Sequence, residues 1–179
     1  MIPAGLFLSC VIQIKIREAG LSDTGIIAEF SLRLAWETEQ RRLDPDLLQA
    51  GVAALLHDDA KGKYFLAESG VGGQLAIAGQ LSITYEWSDW RNGNFWWIQS
   101  VYVDKAFRGQ GVFSSLFRHV QSLAKVTKEV CGLRLYMEAN NETARRAYHR
   151  LGFQQTHYQM FEIEFAIHEP AKSANPEIS

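Results

Sequence analysis

The chain has 179 residues, 47% of them hydrophobic, and its 18 Lys and Arg residues nearly balance 20 Asp and Glu residues, giving a net charge of −2. The length and apolar content predict one globular domain over residues 1–168, followed by a flexible polar tail over 169–179. The charge balance argues against nucleic acid as a partner. No stretch approaches the ~20 apolar residues of a membrane span, so no membrane association is expected.

Two cysteines, Cys10 and Cys131, are too few for a disulfide framework, and both lie beside apolar, strand-like runs. Reduced, buried thiols are the usual outcome in that setting. Residues 1–11 include a short apolar run but lack the basic segment with which a signal peptide begins. These features predict a cytoplasmic protein. The five histidines show no metal-ligand spacing, so no metal site is expected.

The first third of the chain predicts one strand and two helices. Residues 11–17 alternate isoleucine with polar residues, which is typical of a half-buried strand. A helix is predicted over about 23–40, with Ser22 or Asp23 as its cap. A second helix is predicted from Asp44 to about residue 57, because Asp44 is a good N-cap and a proline follows it at the first helical position.

Two strands and a turn follow. Residues 63–68 predict a short second strand, the glycine cluster at 70–73 turns the chain, and 74–90 predict a long third strand. The Asn92-Gly93 pair is a strong signal for a two-residue hairpin turn, so the third and fourth strands are expected to be antiparallel.

The hairpin turn also predicts a register. Counting back from a two-residue turn places Glu86 directly opposite Gln99, with their Cβ atoms ~5 Å apart on one face of the sheet. A bulge in the fourth strand would change this register and aim Glu86 elsewhere.

The fourth strand runs through Arg108-Gly109-Gln110-Gly111 into a helix predicted over about 111–126. Glycine allows positive φ and close backbone approach, so several N–H groups can converge at the start of a helix, where the helix dipole favours an anion such as a pyrophosphate. An ordinary strand-to-helix turn would use the same residues.

A similar pattern occurs once more. Residues 133–138 predict a strand, and Asn140 or Asn141 caps a helix on which Asn141 and Tyr148 lie on one face, with a glycine stop at Gly152. Residues 158–167 alternate well enough to predict a last strand that closes the sheet.

These two stretches resemble the GNAT superfamily of acyl-CoA-dependent N-acyltransferases. Residues 108–112 match its Q/R-x-x-G-x-G/A pyrophosphate loop, except that Phe113 replaces the last small residue, and residues 141–153 match its N-x-x-A-x-x-x-Y-x-x-x-G-F segment. The likeness covers about residues 12–166. It implies an α/β fold with a mixed, mostly antiparallel sheet, parallel central strands 4 and 5, and helices on both faces.

The resemblance also implies a function. We expect an N-acetyltransferase that moves an acetyl group from acetyl-CoA to a primary amine of a small molecule or peptide by direct attack. The sequence does not distinguish a monomer from a homodimer. An acyl-CoA-binding sensor or interaction module without turnover is the alternative. The residues expected to contact acetyl-CoA come from strand 4, the glycine turn and the last helix: Val101, Tyr102, Val103, Arg108, Gly109, Gln110, Gly111, Val112, Phe113, Asn141 and Tyr148.

Acyl transfer from a thioester to an amine needs a neutral amine and a proton for the leaving thiolate. Tyrosine titrates near ~10 and a thiol near ~8.5, so a neutral Tyr148 can supply that proton, although it could also simply pack on the sheet. Many relatives use a strand-4 Glu as base, where this chain has Gln99. Glu86 is the first candidate to replace that base, although it could equally be a solvated strand residue. Glu138 is the second candidate, although it could equally form an ion pair with Arg134 or Arg146.

The expected acceptor groove is acidic and aromatic, which favours a cationic amine. Alternatively, Arg91 or Arg33 could anchor the carboxylate of an amino-acid-like acceptor. The residues predicted to contact the acceptor lie on the first helix, the third strand, the hairpin and the fourth strand: Trp36, Glu37, Glu39, Glu86, Asp89, Arg91 and Gln99.

Overall fold

The computed structural model describes residues 13–71, 74–163 and 165. The chain divides into two compact units, one ending at Tyr136 and the other beginning at Met137. The predictions for residues 1–12, for Gly72-Gly73 and for the tail at 169–179 lie outside the described residues. The elements of the first unit, in chain order, are β1 (Ile14–Glu18), α1 (Thr24–Glu39), α2 (Pro45–Leu56), β2 (Lys63–Val71), β3 (Gln74–Ser88), β4 (Gly93–Val103), α3 (Val112–Val126) and β5 (Val130–Leu135); the second unit contains α4 (Glu142–Arg150).

The five strands form one mixed sheet in the order β1-β2-β3-β4-β5. The first four strands are antiparallel neighbours, whereas β4 and β5 run parallel. A parallel pair needs a crossover connection, and α3 provides it. The mixed sheet with a parallel β4–β5 pair confirms the predicted fold class.

Helices cover both faces of this sheet. Tyr64 and Phe65 are neighbours in β2, so their side chains point to opposite faces. Tyr64 packs in an apolar cluster with Ile27 of α1 and Val52 of α2. Phe65 contacts the ring of His119 on α3, with ring centroids 5.4 Å apart. We call the side that carries α1 and α2 the α1 face, and α3 covers the opposite side.

Of the helix caps predicted at Asp44 and Asp23, only the one at Asp44 forms. The carboxylate of Asp44 accepts hydrogen bonds from the N–H groups of Asp46 and Leu47, as predicted for the start of α2. Asp23 precedes α1, but its carboxylate binds Arg17 instead, at 2.7 Å. That guanidinium lowers the pKa of Asp23. The side chain of Asp23 therefore ties β1 to the start of α1 rather than capping the helix.

The predicted two-residue hairpin turn is wrong. Ser88 pairs with Gly93, so the turn contains the four residues 89–92. Asn92 adopts a left-handed φ of 48° within the turn. Gly93 is already in β4 and is needed for a different reason, because a Cβ there would lie 2.9 Å from the carbonyl oxygen of Glu129. The Asn-Gly pair thus serves a longer turn and a close backbone approach.

The longer turn also makes the predicted register wrong. Glu86 pairs with Phe95, not with Gln99. Farther along the hairpin, Ile83 pairs with Ile98 but Ser82 pairs with Ser100, so Gln99 is the extra residue of a bulge in β4. This bulge lies beyond the Glu86–Phe95 pair, so the longer turn, and not the bulge considered from the sequence, changes the register of Glu86.

β4 also stops pairing with β5 at the Gln99 bulge. It pairs with β5 only from Asn94 to Ile98, because β5 ends at Leu135. From Gln99 to Val103, the β5 side of β4 has no strand partner among the described residues. Apart from the carbonyl oxygen of Val103, which accepts from the Arg108 side chain, the backbone groups on that side of β4 are therefore available to a ligand.

Three further predictions need correction. The strand expected at 133–138 is β5, which begins and ends three residues earlier, so Glu138 lies beyond it. Cys131, expected to be buried, is exposed because β5 is the last strand of the sheet. Residues 158–163 and 165 form no strand, and the rest of the predicted last strand lies outside the described residues. Side-chain alternation alone does not supply the backbone partner that a strand needs.

Close packing positions the start of α3 on the sheet. Val112, the first residue of α3, is buried, and it contacts β3 at Gly79. A Cβ at Gly79 would lie 2.6 Å from the carbonyl oxygen of Tyr102 and 3.2 Å from a methyl carbon of Val112. Tyr102 precedes the glycine turn and Val112 follows it, so Gly79 packs against both ends of that segment.

We expect Gly79→Ala to lower the free energy of unfolding by about 1–3 kcal/mol, because overpacking would force β4 and α3 apart. Chemical denaturation would measure this change. Gly51→Ala is the matched control, since Gly51 lies inside α2 with no atom within 4 Å of an added Cβ. There, alanine should be neutral or stabilising by about 0.5–1 kcal/mol. Equal stabilities for both variants would contradict the close packing at Gly79.

Candidate functional site

The turn between β4 and α3 exposes its backbone. Gly109 and Gly111 have φ values of 76° and 84°, in the left-handed region that favours glycine. A Cβ added at either residue would meet no heavy atom within 4 Å. The side chain of Gln110, between them, bonds back to the carbonyl oxygen of Ala106 at 2.9 Å. The outer surface of the turn is thus backbone rather than side chain.

The turn leads directly into the N-terminus of α3, a helix of 15 residues. Gly111 is its N-cap and offers no side-chain hydrogen bond. Gly111 therefore supplies no side-chain acceptor to the first turn of the helix, where the helix dipole favours a negative charge. Phe113, in that turn, stacks on Phe117 with centroids 6.4 Å apart. This arrangement suits an anion such as a diphosphate.

The side chain of Arg108 turns away from the exposed backbone and ties the turn to β4 and α1. Its Nε donates to the carbonyl oxygen of Val103 at 3.0 Å, and its Nη2 donates to Oε2 of Glu37 at 2.7 Å. The guanidinium also lies over the ring of Tyr102, 5.7 Å from its centroid. We call Arg108, Glu37 and Tyr102 the turn clamp.

Glu37 is the hub of this clamp. Besides Arg108, its carboxylate accepts from the Tyr102 hydroxyl at 3.0 Å and pairs with Nζ of Lys105 at 3.4 Å. The hydrogen bond from Arg108 is the main cause that lowers the pKa of Glu37. Burial, and then the bond to Glu37, raise the pKa of Tyr102. Glu37, predicted to contact the acceptor, therefore contacts the glycine-turn segment instead.

A pocket of about 420 Å³ opens between α1, α2 and the α1 face of the sheet. Gln99 and Ser100 both line it although they are consecutive residues, because the β4 bulge turns both side chains to one face. The amide of Gln99 is fixed: its Nε2 donates to Oγ1 of Thr84 at 2.8 Å, and its Oε1 accepts from the Tyr136 hydroxyl at 3.2 Å.

Five of the eleven residues that line this pocket carry a hydroxyl group, and sequence reasoning missed them. Ser82 and Ser100 hydrogen-bond to each other at 2.8 Å, and Tyr64 lines the same wall. Burial raises the pKa of Tyr64, while hydrogen bonding with Ser82 opposes that shift. The available signal was the polar residue at every second position of the apolar β3, at Gln80, Ser82 and Thr84. The full lining is Ser31, Leu34, Ala35, Glu39, Leu43, Leu55, Tyr64, Ser82, Thr84, Gln99 and Ser100.

Of the predicted acceptor residues, only Glu39 and Gln99 line this pocket. Trp36 is half exposed beneath the guanidinium of Arg42, 5.5 Å from the ring centroid. Asp89 accepts from the N–H group of Trp90 within the hairpin turn. The two candidate carboxylate anchors also lie elsewhere: Arg33 pairs with Asp104 at 2.7 Å, and Arg91 lies over Phe95 at 5.1 Å.

Glu86, the first candidate base, is held in an ion pair with Arg134 of β5. The guanidinium of Arg134 lies 3.7 Å from the ring centroid of Phe95, which is the cross-strand partner of Glu86. Glu86 is absent from the pocket lining. The structure therefore brings Glu86 to a cation rather than to Gln99.

The second unit contains the remaining predicted residues. Asn141 caps α4 as predicted, its side-chain oxygen accepting from the N–H group of Ala144 at 2.9 Å. Tyr148, two turns later, packs edge-on against Phe153 with centroids 5.8 Å apart. Burial raises the pKa of Tyr148, which keeps its hydroxyl protonated at neutral pH. Glu138, the other candidate base, accepts from Nδ2 of Asn140 at 3.2 Å.

Two absences apply to residues 13–71, 74–163 and 165. No three His, Cys, Asp or Glu side chains group closely enough there to hold a metal ion. None of the helices in this part of the chain is long and apolar enough to cross a membrane.

Comparison with known proteins gives a consistent result. The model of the GNAT acetyltransferase family matches residues 28–153. The crystal structure of a possible acetyltransferase from Clostridium difficile 630 has 46% sequence identity and a TM-score of 0.78, covering 87% of this chain and 99% of that one. No curated protein matches the chain in sequence.

More distant structures share the fold. Ribosomal-protein-alanine N-acetyltransferase from Brucella melitensis biovar Abortus 2308 has 20% identity and a TM-score of 0.66, covering 86% of this chain and 99% of that one. Aminoglycoside N-acetyltransferase AAC(6')-Iy in complex with CoA has 17% identity and a TM-score of 0.68, covering 93% of this chain and 100% of that one.

Proposed function

Because the chain belongs to the GNAT acetyltransferase family, we propose that this enzyme transfers an acetyl group from acetyl-CoA to a primary amine of a small molecule or peptide by direct attack. One observation carries the proposal: the unpaired edge of β4 leads straight into an exposed glycine turn at the uncapped N-terminus of α3.

The residues of this segment fit the chemistry of CoA. The N–H groups of residues 109–113 would hold the pyrophosphate, since the turn presents backbone without a side chain in the way. The free edge of β4 over residues 101–103 would pair with the amide groups of the pantetheine arm, as an added strand does. Acetyl-CoA supplies the acetyl group in activated form, as a thioester. The turn clamp holds the two binding segments together through Arg108.

The acceptor amine acts as the nucleophile. Its nitrogen forms a bond to the acetyl carbon, the carbon–sulfur bond breaks, the nitrogen loses a proton and the sulfur gains one. A covalent acetyl-enzyme would need an activated serine or cysteine. The pocket serines have no histidine among their lining neighbours, and Cys131 is exposed on β5 outside the lining. Direct attack therefore requires the fewest assumptions.

We assign the proton for the leaving sulfur to Tyr148. A thiol titrates near ~8.5, well below a tyrosine, so the thiolate is a good leaving group but a neutral phenol can still hydrogen-bond to it and protonate it. Burial raises the pKa of Tyr148, which favours the neutral form further. Asn141 fixes the start of the helix that carries this tyrosine.

Tyr148→Phe should lower kcat by about 10²-fold or more, because it removes a general acid while keeping the aromatic ring. Steady-state assay of CoA thiol release would measure kcat, and calorimetry should show a nearly unchanged Kd for acetyl-CoA. Tyr158→Phe makes the same chemical change at an exposed tyrosine and should have no effect.

Two results would count against this assignment. A Tyr148→Phe variant with the parental rate would make Tyr148 a packing residue, as would a parallel loss of stability and cofactor binding. If the parental protein binds acetyl-CoA but releases no thiol with any amine, the non-catalytic sensor becomes the better interpretation.

The ion pair with Arg134 changes the proposed role of Glu86. The ion pair directs the Glu86 carboxylate to Arg134, and Glu86 is not among the residues that line the pocket, so it is not placed to take a proton from an acceptor there. We propose that Glu86 positions Arg134 over Phe95 and that the amine proton leaves to water. An alkylamine titrates near ~10, so the rate should then rise with pH as the neutral amine becomes more abundant.

Glu86→Gln keeps a hydrogen-bond acceptor for Arg134 and should lower kcat/KM less than about tenfold at pH 7, with the rise toward higher pH retained. Glu138→Gln, at the second candidate base, is the matched comparison. A loss of ~10²-fold that recovers at high pH in either variant would identify that residue as the base. The measurement is a pH–rate profile from about pH 6 to about pH 10 with a saturating acetyl-CoA concentration.

A further inference from the structure

We assign the acceptor to the pocket between α1, α2 and the sheet, because it adjoins the free edge of β4 at the Gln99 bulge, and this acceptor pocket has an unbalanced charge. Glu39 is the acidic residue of its lining, and no ion-pair partner of Glu39 occurs among residues 13–71, 74–163 and 165. Glu37, two residues earlier on α1, is instead engaged by Arg108, Lys105 and Tyr102. The two carboxylates therefore differ: Glu37 is already neutralised within the protein, and Glu39 can bind a cation from outside.

No Lys or Arg side chain lines the pocket within the described part of the chain. The two cations first considered as carboxylate anchors are engaged elsewhere, Arg33 with Asp104 and Arg91 over Phe95. Arg42, in the loop after α1, lies over Trp36. An acceptor carboxylate in this pocket would therefore lose water without gaining a counter-ion, and Glu39 would repel it.

The rest of the lining is neutral, and apolar atoms make up most of its surface. Four residues that carry hydroxyl groups, Ser82, Thr84, Ser100 and Tyr64, line a volume of about 420 Å³ together with Gln99. That volume is within the range of small-molecule sites. Polar neutral groups can bind hydroxyl or amine substituents of a small ligand, and leucines on α1 and α2 cover its apolar parts.

These observations name the substrate class. Building on the acetyl transfer proposed above, we propose that the acceptor is a small amine that carries no carboxylate, with a cationic group facing Glu39. The free carboxylate of Glu39 would attract the cationic group of the acceptor. Because no Lys or Arg is among the described lining residues, the pocket should select amines over the corresponding amino acids.

Matched pairs of acceptors test this selection. Cadaverine and lysine, tyramine and tyrosine, and histamine and histidine each differ by one carboxylate. Each compound is measured in two ways: binding by calorimetry in the presence of CoA, and acetyl transfer from acetyl-CoA by thiol release. In at least one pair, the member without the carboxylate should bind at least about tenfold more tightly and have a correspondingly higher kcat/KM.

Variants at Glu39 identify the pocket as the cause. Glu39→Gln should raise the Kd of the preferred amine by about tenfold or more, while the Kd of acetyl-CoA stays the same. Glu39→Lys should reduce or invert the preference within the pair. Glu29→Gln makes the same neutral substitution on α1 outside the pocket, at an exposed residue paired with Arg33, and should change neither Kd.

The two readouts separate this inference from the proposed function. Amine binding that depends on Glu39, without any thiol release, would retain the pocket assignment and overturn the acetyl transfer. Thiol release that favours the carboxylated members would retain acetyl transfer and overturn the substrate class. If no cationic amine binds at millimolar concentration, or if Glu39→Gln binds the preferred amine as the parent does, the inference is wrong.

Discussion

The bulge at Gln99 is the constraint on which the rest of the site depends. One extra residue in β4 directs Gln99 and Ser100 to the same face, which places both in the pocket beneath α1 and α2. At the same residue β4 loses β5 as a neighbour, so the β5 side of β4 has no strand partner up to Val103 within the described chain. The pocket proposed for the acceptor and the free β4 edge proposed for acetyl-CoA thus both begin at the Gln99 bulge.

α1 connects these two binding regions. Its last two turns carry Glu37, which holds the glycine turn through Arg108, and Glu39, which lines the pocket. Residues two apart on a helix point in different directions, so one short segment can serve both sites. The turn clamp fixes α1 against β4 by charge-assisted hydrogen bonds, and this fixes the distance between the pocket wall and the start of α3.

The sequence predicted the features that depend on local chemistry. The glycine turn, the Asp44 cap and the Asn141 cap each follow from residue types over a few positions, and the structure has all three. The hairpin register was wrong because Gly93 serves a long-range contact with Glu129, which no local pattern shows. The pocket was missed for the same reason: its hydroxyl groups meet only after a bulge brings consecutive residues of β4 to one face.

Amide hydrogen exchange with and without acetyl-CoA tests the proposed binding mode most directly. On addition of saturating acetyl-CoA, exchange should slow at the glycine turn and the start of α3, over residues 109–112, and at Val101 and Val103 on the free edge of β4, because these N–H groups would gain acceptors. The strands β1 and β2 should exchange at the same rate in both samples. Bound acetyl-CoA with unchanged exchange in both segments would contradict the assignment of the cofactor to the β4 edge and the glycine turn.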